Sequence, residues 1–439
     1  MIKNNGIGPL RTVLEQAQLI AGYTMNDLTV LDKQNDPYRQ DTPAGHQKGR
    51  WFKEQVDRFV SPAKKVHLRE LHYLVSSSGD ILKVGGLPYQ NIDPDWEWLQ
   101  EDCAKAGRWL GYVPHSRFID ARNEAPKIFV PDDETTITWK AGDGAFVQVP
   151  VSAEAALPKP SADFHARQAY RIIFFGEKTS LDSILLPIAK EVGGELLLPT
   201  GESSDTMVAD MVERIVADGR PAVILYFSDF DPSGWQMAVS VRRKVQAHRD
   251  LTHPDLVVEV HPVALTLEQC KRWGLPSTPL KDTEKRKDRW RAVMGHEQTE
   301  IDAAIALRPA ELAQVAWDAV SPFYDPTLQG RTVEAENEWI IEAESRLRAA
   351  PAYQDALIRL DAAIAIVRDN PTQEASDAFE QLQAQITRDL VDSIELPPII
   401  LPEPDIDSSM VARPLFTTAD DYITATRRLI DHKKLNGEH

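Results

Sequence analysis

Apolar segments that alternate with helical patterns constrain the fold of this chain more than any other feature of its sequence. The predicted strands are Arg171–Gly176, Glu195–Thr200, Ala222–Ser228 and Leu256–Leu265. The helical patterns between them span Leu181–Val192, Ser204–Ala217 and Gly234–His248. Strands that lack polar alternation are buried on both faces, which is typical of a parallel sheet covered by helices. We therefore predict a parallel α/β domain over residues 168–330.

The sequence on either side of this domain predicts mainly helices. Apolar spacing in residues 46–130 indicates three short helices and then a strand at Lys127–Val130, which suits a winged-helix domain. The other segments are predicted as an N-terminal extension (1–45), a strand pair and linker (131–167), and an acidic helical extension and tail (331–439). Helices are expected in that last segment at Glu334–Ala349, Ala352–Val367, Glu374–Ile394 and Thr417–Leu435.

Composition limits the class of protein. The 439 residues include 49 Lys and Arg against 67 Asp and Glu, a net charge of −18, which excludes a uniformly basic coat for nucleic acid. The excess of acid lies beyond residue 130, so a local DNA site in the nearly balanced N-terminal third stays possible. Two cysteines exclude a disulfide framework, and no segment resembles a membrane span or a signal peptide. These features predict a cytoplasmic, nucleoid-associated protein with no membrane partner.

Acidic side chains follow two of the predicted strands. Asp229 and Asp231 come directly after Ala222–Ser228, and Glu177 follows Gly176. The carboxyl ends of parallel strands share one edge of the sheet, so these carboxylates are expected to meet there and to repel one another without a cation. An all-oxygen set favours Mg²⁺, with Mn²⁺ as a second choice. The alternatives are an EF-hand loop, which Ser240 at the twelfth position argues against, and simple capping of the next helix by the aspartates.

The order of these motifs resembles the TOPRIM domain of topoisomerases and primases. The resemblance rests on Gly176-Glu177-Lys178, on Leu198-Pro-Thr-Gly201 and on Ser228-Asp-Phe-Asp-Pro-Ser-Gly234. The last motif, with Val263–Gln269, Gly274–Pro276 and Glu297–Ala303, is similar to the branch that contains the topoisomerase VI A subunit and the meiotic double-strand-break transesterase. Membership of that branch implies a winged-helix domain followed by a TOPRIM domain, with Glu177, Asp229 and Asp231 as Mg²⁺ ligands and Glu177 also catalytic.

In that branch the nucleophile is a tyrosine on a winged-helix segment, with an arginine four residues earlier. The matching stretch here is His67-Leu-Arg69-Glu-Leu-His-Tyr73, so the resemblance implies that Tyr73 is the nucleophile and that Arg69 assists it. The i, i+4 spacing places the two on one helix face, where a guanidinium favours the phenolate and binds phosphate oxygens. The alternative is a core tyrosine with a hydrogen-bonded hydroxyl. His72 is expected to be a surface residue.

Basic residues after this helix are a second candidate DNA contact. Arg108, Arg117, Arg122 and Lys127 either form a wing that contacts phosphates or are scattered solvated charges.

The resemblance implies a DNA-cleaving enzyme that acts as a homodimer on double-stranded DNA. Tyr73 would form a 5′-phosphotyrosyl link in each strand. Because the chain has no Walker A motif, an ATP-hydrolysing B-type subunit or another protein partner would be a separate chain. Two alternatives stay open: a hydrolytic TOPRIM nuclease of plasmid or phage defence, and a non-catalytic DNA-binding subunit of a larger complex. The acidic C-terminal extension lies outside the resemblance.

Overall fold

The structure is a computed structural model that describes residues 9–22, 24–28, 37–120, 123–131, 134–140, 142, 152–406, 414–421 and 424–428. The chain divides into two compact units. The first comprises residues 1–130, 169–324 and 407–439, and the second comprises residues 131–168 and 325–406. In the described ranges no helix combines the length and apolar character that crossing a membrane requires.

The helices and strands are numbered in chain order. The α-helices are α1 (Pro9–Ala21), α2 (Met25–Leu28), α3 (Pro43–Phe59), α4 (Leu68–Ser78), α5 (Asp93–Glu97), α6 (Lys105–Trp109), α7 (Ala153–Ala156), α8 (Asp182–Glu191), α9 (Asp205–Asp218), α10 (Pro232–Leu251), α11 (Leu267–Trp273), α12 (Lys287–Met294), α13 (Ile301–Leu307), α14 (Pro309–Val320), α15 (Leu328–Ala349), α16 (Pro351–Asp369) and α17 (Gln373–Ser393). The strands are β1 (Lys127–Ile128), β2 (Thr136–Lys140), β3 (Lys159–Asp163), β4 (Arg171–Gly176), β5 (Glu195–Leu197), β6 (Ala222–Phe227), β7 (Val258–Ala264) and β8 (Phe416–Thr417).

A six-stranded sheet of order β1-β5-β4-β6-β7-β8 forms the centre of the first unit. The four inner strands are parallel, and β1 and β8 pair antiparallel at the two edges. Every residue of β4 and β6 is buried, because alternate side chains pack under helices on opposite faces of the sheet. The prediction of a mostly parallel α/β sheet with additional helices is confirmed.

Two short strands differ from the sequence-based expectation. Lys127 and Ile128 pair with β5 and so extend the main sheet rather than belonging to the helical region that precedes them. Phe416 and Thr417 pair with β7, although helix was predicted over Thr417–Leu435. Of that predicted helix, residues 424–428 are helical, and residues 422, 423 and 429–435 lie outside the described residues. An edge strand presents unpaired backbone N–H and C=O groups, and these distant segments satisfy them.

A buried ion-pair network connects the first residues of β4 and β5 with α9. Arg171 donates to Glu195 at 2.6 Å and to Asp218 at 2.9 Å, and Glu195 also accepts from Nε of Arg214 at 2.9 Å. Arg171 is 5% exposed and Glu195 is fully buried. Both charges are therefore compensated inside the protein, as buried ions require.

Removal of the Glu195 carboxylate is expected to destabilise the fold. Glu195→Ala leaves the Arg171 guanidinium buried with Asp218 as its remaining acid, and we expect the free energy of unfolding to fall by about 3 kcal/mol. Urea denaturation measures the change, with Glu191→Ala on the exposed end of α8 as the control. A loss below about 1 kcal/mol for Glu195→Ala would show that the network is not needed for stability.

The helical part of the first unit precedes the sheet. Helices α3 and α4 pack together around Trp51, Phe52, Val56, Leu71 and Val75. Thr42 caps α3 by accepting from the backbone N–H of Gly45, and α4 ends at Gly79, whose φ of 74° is left-handed. This helical core positions the side chains of α4 that the sequence singled out.

The second unit joins segments that are far apart in the sequence. Strands β2 and β3 form an antiparallel pair, and Phe164, which follows β3, packs against Trp339 of α15. Helices α16 and α17 pack around Leu360, Phe379 and Ile386. Strand β2 lies where the first strand within 131–167 was predicted, whereas β3 was not predicted and the second strand expected there, 145–151, lies outside the described residues. The three predicted acidic helices lie in the same compact unit.

Candidate active site

Two of the predicted carboxylates meet at the carboxyl edge of the sheet. Strands β4 and β6 are adjacent, parallel and in register, with Gly176 opposite Phe227. The N–H of Glu177 donates to the carbonyl of Phe227 at 3.0 Å, and the N–H of Asp229 donates to Oε2 of Glu177 at 3.2 Å. The sheet register thus brings Glu177 and Asp229 together from positions 52 residues apart.

Asp229 and Asp231 each also bind the start of a helix. Asp231 is the N-cap of α10, and its Oδ1 accepts from the N–H of Gly234 at 2.7 Å. Oδ1 of Asp229 accepts from the N–H of Ile301 at 2.7 Å, at the first residue of α13. The capping alternative therefore describes part of the role of both aspartates, although only Asp231 caps the helix that follows it.

Lys178 is a cation built into this edge, and sequence reasoning did not assign it a role. Its Nζ lies 2.9 Å from Oδ2 of Asp229 and 3.0 Å from Oδ2 of Asp302, and it also donates to Glu300. Glu300 and Asp302 belong to a stretch that resembles the TOPRIM branch, but its pattern carries no indication that they contact Lys178. The ammonium neutralises part of the negative charge of the site.

The carboxylates alter one another's protonation. Burial, together with the negative charges of Asp229 and Asp231, raises the pKa of Glu177 to about 7, although the hydrogen bond from the N–H of Asp229 opposes this rise. Burial also raises the pKa of Asp229, opposed by the N–H of Ile301 and by Lys178. Negative charge is therefore costly here, which is the electrostatic condition that favours a bound cation.

The carboxylates at this edge have the right chemistry for a divalent ion, but they are not arranged as a metal site. Oxygen ligands from Glu177, Asp229 and Asp231 suit Mg²⁺. Yet in the part of the chain that the structure covers, no three acidic, histidine or cysteine side chains are grouped closely enough to hold a metal. Both oxygens of Asp229 already have partners, because Ile301 donates to Oδ1 and Lys178 contacts Oδ2. Lys178 would therefore compete with a cation for this carboxylate.

The raised pKa of Glu177 predicts a pH effect on stability. The pKa of Glu177 in the folded chain lies above the value of about 4.3 for an exposed Glu, so the folded chain binds the carboxyl proton more tightly than the unfolded chain does. The free energy of unfolding therefore falls as the pH rises from about 4.3 to about 7. In EDTA, we expect the free energy of unfolding to fall between pH 5 and pH 8 by on the order of 2 kcal/mol more in the wild type than in Glu177→Gln. Equal losses in both proteins, measured by urea denaturation, would contradict the assignment.

Tyr73 lies on the exposed side of α4. Leu71, His72 and Val75 form the buried side of the helix, and the Tyr73 side chain is 51% exposed. Its hydroxyl makes no hydrogen bond within the described residues. The alternative of a core tyrosine with a bonded hydroxyl is therefore wrong.

His72 was expected at the surface, and this expectation is wrong. The side chain is 1% exposed, its Nδ1 lies 2.6 Å from the hydroxyl of Tyr89, and its Nε2 lies 2.9 Å from Oδ1 of Asn91. Its ring also packs edge-on against Trp96. Both imidazole nitrogens have partners, which stabilises a polar group in the core beside Tyr73.

Arg69 lies one turn before Tyr73 and borders two clefts. Its guanidinium stacks on Trp96, 4.0 Å from the ring centroid. The first cleft, here the tyrosine cleft, encloses about 700 Å³ and includes Arg69, Glu70 and Tyr73 in its lining. The second, here the inter-region cleft, encloses about 680 Å³ between the helical region and the sheet.

The inter-region cleft reaches toward the carboxylates. Its lining includes Arg69 on one side and Glu202, Asp205 and Lys244 on the other. Glu202 follows Gly201, whose N–H donates to the backbone carbonyl of Glu177 at 3.2 Å. The cleft therefore extends from the arginine of α4 to the loop that contacts the edge of the sheet.

The four basic residues proposed as a wing have different surroundings. Arg108 lines the inter-region cleft and donates to Thr206 at 3.1 Å, and Arg117 donates to the carbonyl of Ser61 at 2.9 Å. Lys127 pairs with Asp182, and Arg122 lies outside the described residues. The three described side chains thus bind within the protein, and their contact with DNA stays a prediction.

Comparison of the sequence with models of known protein families and with curated proteins gives no match. The assignment of a function consequently rests on the residues and geometry of the chain itself.

Proposed function

We propose that the chain cleaves double-stranded DNA by transesterification, with Tyr73 as the nucleophile, in the manner of the topoisomerase VI A subunit that its motifs resemble. In this proposal the helical region corresponds to a winged-helix domain and the sheet to a TOPRIM domain. The active form is a homodimer, in which Tyr73 of one copy meets the carboxylates of the other. Any ATP-driven strand passage belongs to a separate partner chain.

The exposure of Tyr73 beside Arg69 is the observation that carries the proposal. A nucleophile must reach the phosphorus of a large substrate. The half-exposed phenol of Tyr73, whose hydroxyl makes no hydrogen bond to the residues that the structure describes, meets this requirement. Arg69 is exposed as well, and its stacking on Trp96 holds a planar donor group next to the tyrosine cleft. Phosphate oxygens are the acceptors that such a group binds with two parallel hydrogen bonds.

The proposed chemical step is a displacement at the phosphorus of the DNA backbone. The Tyr73 oxygen bonds to the phosphorus, the phenolic proton leaves to solvent, and the bond to the 3′ oxygen breaks. The 3′ oxygen takes up a proton, and the 5′ end stays linked to Tyr73, so the energy of the broken bond is conserved. Arg69 stabilises the charge that develops on the phosphate oxygens.

A divalent ion at Glu177, Asp229 and Asp231 would supply additional positive charge to the phosphate. Such an ion would compete with Lys178 for Asp229, and its binding would then be coupled to a local rearrangement of this edge.

Trapping of the covalent intermediate tests the proposal. Protein is incubated with supercoiled plasmid and Mg²⁺, and the reaction is stopped with a denaturing detergent. We expect cut DNA whose 5′ ends carry protein and which migrates freely only after protease digestion. Free 5′-phosphate ends without attached protein would overturn the transesterase proposal.

Arg69 substitutions give a graded prediction. We expect Arg69→Ala to reduce adduct formation on the order of 100-fold, because the planar donor to the phosphate is lost. Arg69→Lys keeps a charge but not the paired donors, and its rate should lie between those of wild type and Arg69→Ala. A quantitative gel of protein-linked DNA measures the three rates, and equal rates would exclude Arg69 from the reaction.

A hydrolytic nuclease is the second candidate, and the separation of the two sites within one chain favours it. Among the described residues, the lining of the tyrosine cleft includes Tyr73 but none of Glu177, Asp229 and Asp231. A nuclease that uses only the carboxylates would cut DNA without an adduct and would keep its activity in Tyr73→Phe.

A further inference from the structure

A second tyrosine, Tyr112, is part of a hydrogen-bonded chain of four side chains. Oδ1 of Asp41 lies 2.9 Å from Nε2 of His46, and Nδ1 of His46 lies 2.8 Å from the hydroxyl of Tyr112. Nη1 of Arg50 donates to the same hydroxyl at 3.2 Å. This order of acid, imidazole and hydroxyl, with a cation at the hydroxyl, is the arrangement that activates a weak nucleophile.

The hydrogen-bond donors fix the tautomer of His46. A carboxylate only accepts, so Nε2 of His46 carries the proton that faces Asp41. Nδ1 is then free to accept the proton of the Tyr112 hydroxyl. Asp41 is itself held in place, because its second oxygen accepts from the backbone N–H of Arg11 and the residue is 7% exposed. The imidazole is therefore oriented as a base toward the phenol.

The ring of Tyr112 is fixed by contact with α3. A Cβ atom at Gly49 would lie only 2.5 Å from Cδ2 of Tyr112, so the ring packs directly on the backbone of the helix at this glycine. The His46 ring meets it edge-on, with the ring centroids 5.8 Å apart. Tyr112 is half-buried and Arg50 is exposed, so the hydroxyl lies near the surface.

We propose that Tyr112 is an activated nucleophile for phosphoryl groups that carry a good leaving group, with His46 as its base. The Tyr112 oxygen bonds to phosphorus as its proton moves to Nδ1 of His46, and the bond to the leaving group breaks, so the leaving group departs as an anion. Arg50 makes a phosphoryl group the natural substrate class, because its exposed guanidinium can bind the non-bridging oxygens while it contacts the phenol.

This site is distinct from the one proposed for DNA cleavage. None of Asp41, His46, Arg50 and Tyr112 belongs to the lining of the tyrosine cleft or of the inter-region cleft. Within the described residues, Tyr73 has no base at its hydroxyl, whereas Tyr112 has one at 2.8 Å. The reactivity of Tyr112 therefore does not depend on whether Tyr73 cleaves DNA.

Labelling of the full chain with diisopropyl fluorophosphate tests the proposal, because attack by the phenol forms a stable phosphotriester and releases fluoride. Peptide mass spectrometry follows each tyrosine in one sample, so Tyr170, which is half-buried like Tyr112 and belongs to neither proposed site, is an internal control. We expect Tyr112 to react at least about tenfold faster than Tyr170, which reflects the contribution of a positioned base. Reaction of Tyr112 no faster than Tyr170 would overturn the proposal.

Variants separate activation from simple exposure. His46→Gln removes the base, and Gly49→Ala displaces the ring without changing a polar group; each should bring the labelling of Tyr112 down to the rate of Tyr170. Arg50→Ala changes an exposed side chain, keeps the fold and should slow labelling by several-fold. Labelling that is unchanged in Arg50→Ala and in His46→Gln would show that Tyr112 is not activated by these groups.

Discussion

Tyr73→Phe is expected to abolish the covalent DNA–protein adduct while it leaves the fold unchanged. The substitution removes only the hydroxyl, which makes no hydrogen bond in the described part of the chain and belongs to a half-exposed side chain. We therefore expect a change in the free energy of unfolding within about 0.5 kcal/mol, as for other surface substitutions. Without the phenolic oxygen no bond to phosphorus can form, so the adduct should fall to background.

The matched control for this experiment is Tyr170→Phe. Tyr170 also belongs to the first unit, and its ring contact with Phe323, at 5.3 Å between centroids, needs no hydroxyl. We expect this variant to form the adduct at the wild-type rate. An adduct that persists in Tyr73→Phe would remove Tyr73 from the mechanism, and hydrolytic cutting that persists without an adduct would favour the nuclease.

Two substitutions at Asp231 are expected to have nearly equal effects on cleavage and different effects on stability. Asp231→Asn keeps a side-chain oxygen that can accept from the N–H of Gly234, whereas Asp231→Ala loses this cap of α10. The free energy of unfolding should fall by about 1 kcal/mol in the alanine variant and much less in the asparagine variant. Both lose the charge offered to Mg²⁺, so cleavage should fall on the order of 100-fold in both.

Measurement of unfolding in EDTA and of cleavage across a Mg²⁺ titration separates these contributions. If Asp231→Asn cuts DNA like wild type at the same Mg²⁺ concentration, Asp231 is only a helix cap. If the loss of cleavage is overcome at higher Mg²⁺, the carboxylate acts through ion affinity.

The centre of the sheet could be predicted from the sequence because its signal is local. Continuous apolar segments such as Arg171–Gly176 are explained only by burial on both faces, and the residue that follows each strand then lies at a known edge. This is why the meeting of Glu177 with Asp229 could be expected without coordinates. The partners of the Asp229 oxygens could not be predicted, because Ile301 lies 72 residues later in the chain and the contact of Lys178 with Asp229 has no local pattern.

The residues around α4 show where local patterns fail. Histidine is typical of the surface by its residue type, but Tyr89 and Asn91, from the segment between α4 and α5, bind both nitrogens of His72. The sequence predicts a strand at Lys127–Ile128, but it does not predict that this strand pairs with β5, which lies far along the chain. Pairing of this kind is set by packing between distant segments, which periodicity does not record.

The most direct test of the central claim is to identify the amino acid that is linked to DNA. The adduct formed with Mg²⁺ and plasmid is digested with nuclease and trypsin, and the nucleotide-bearing peptide is sequenced by mass spectrometry. We expect a 5′-nucleotide on Tyr73. A nucleotide on any other residue, or cut DNA with no modified peptide, would contradict it.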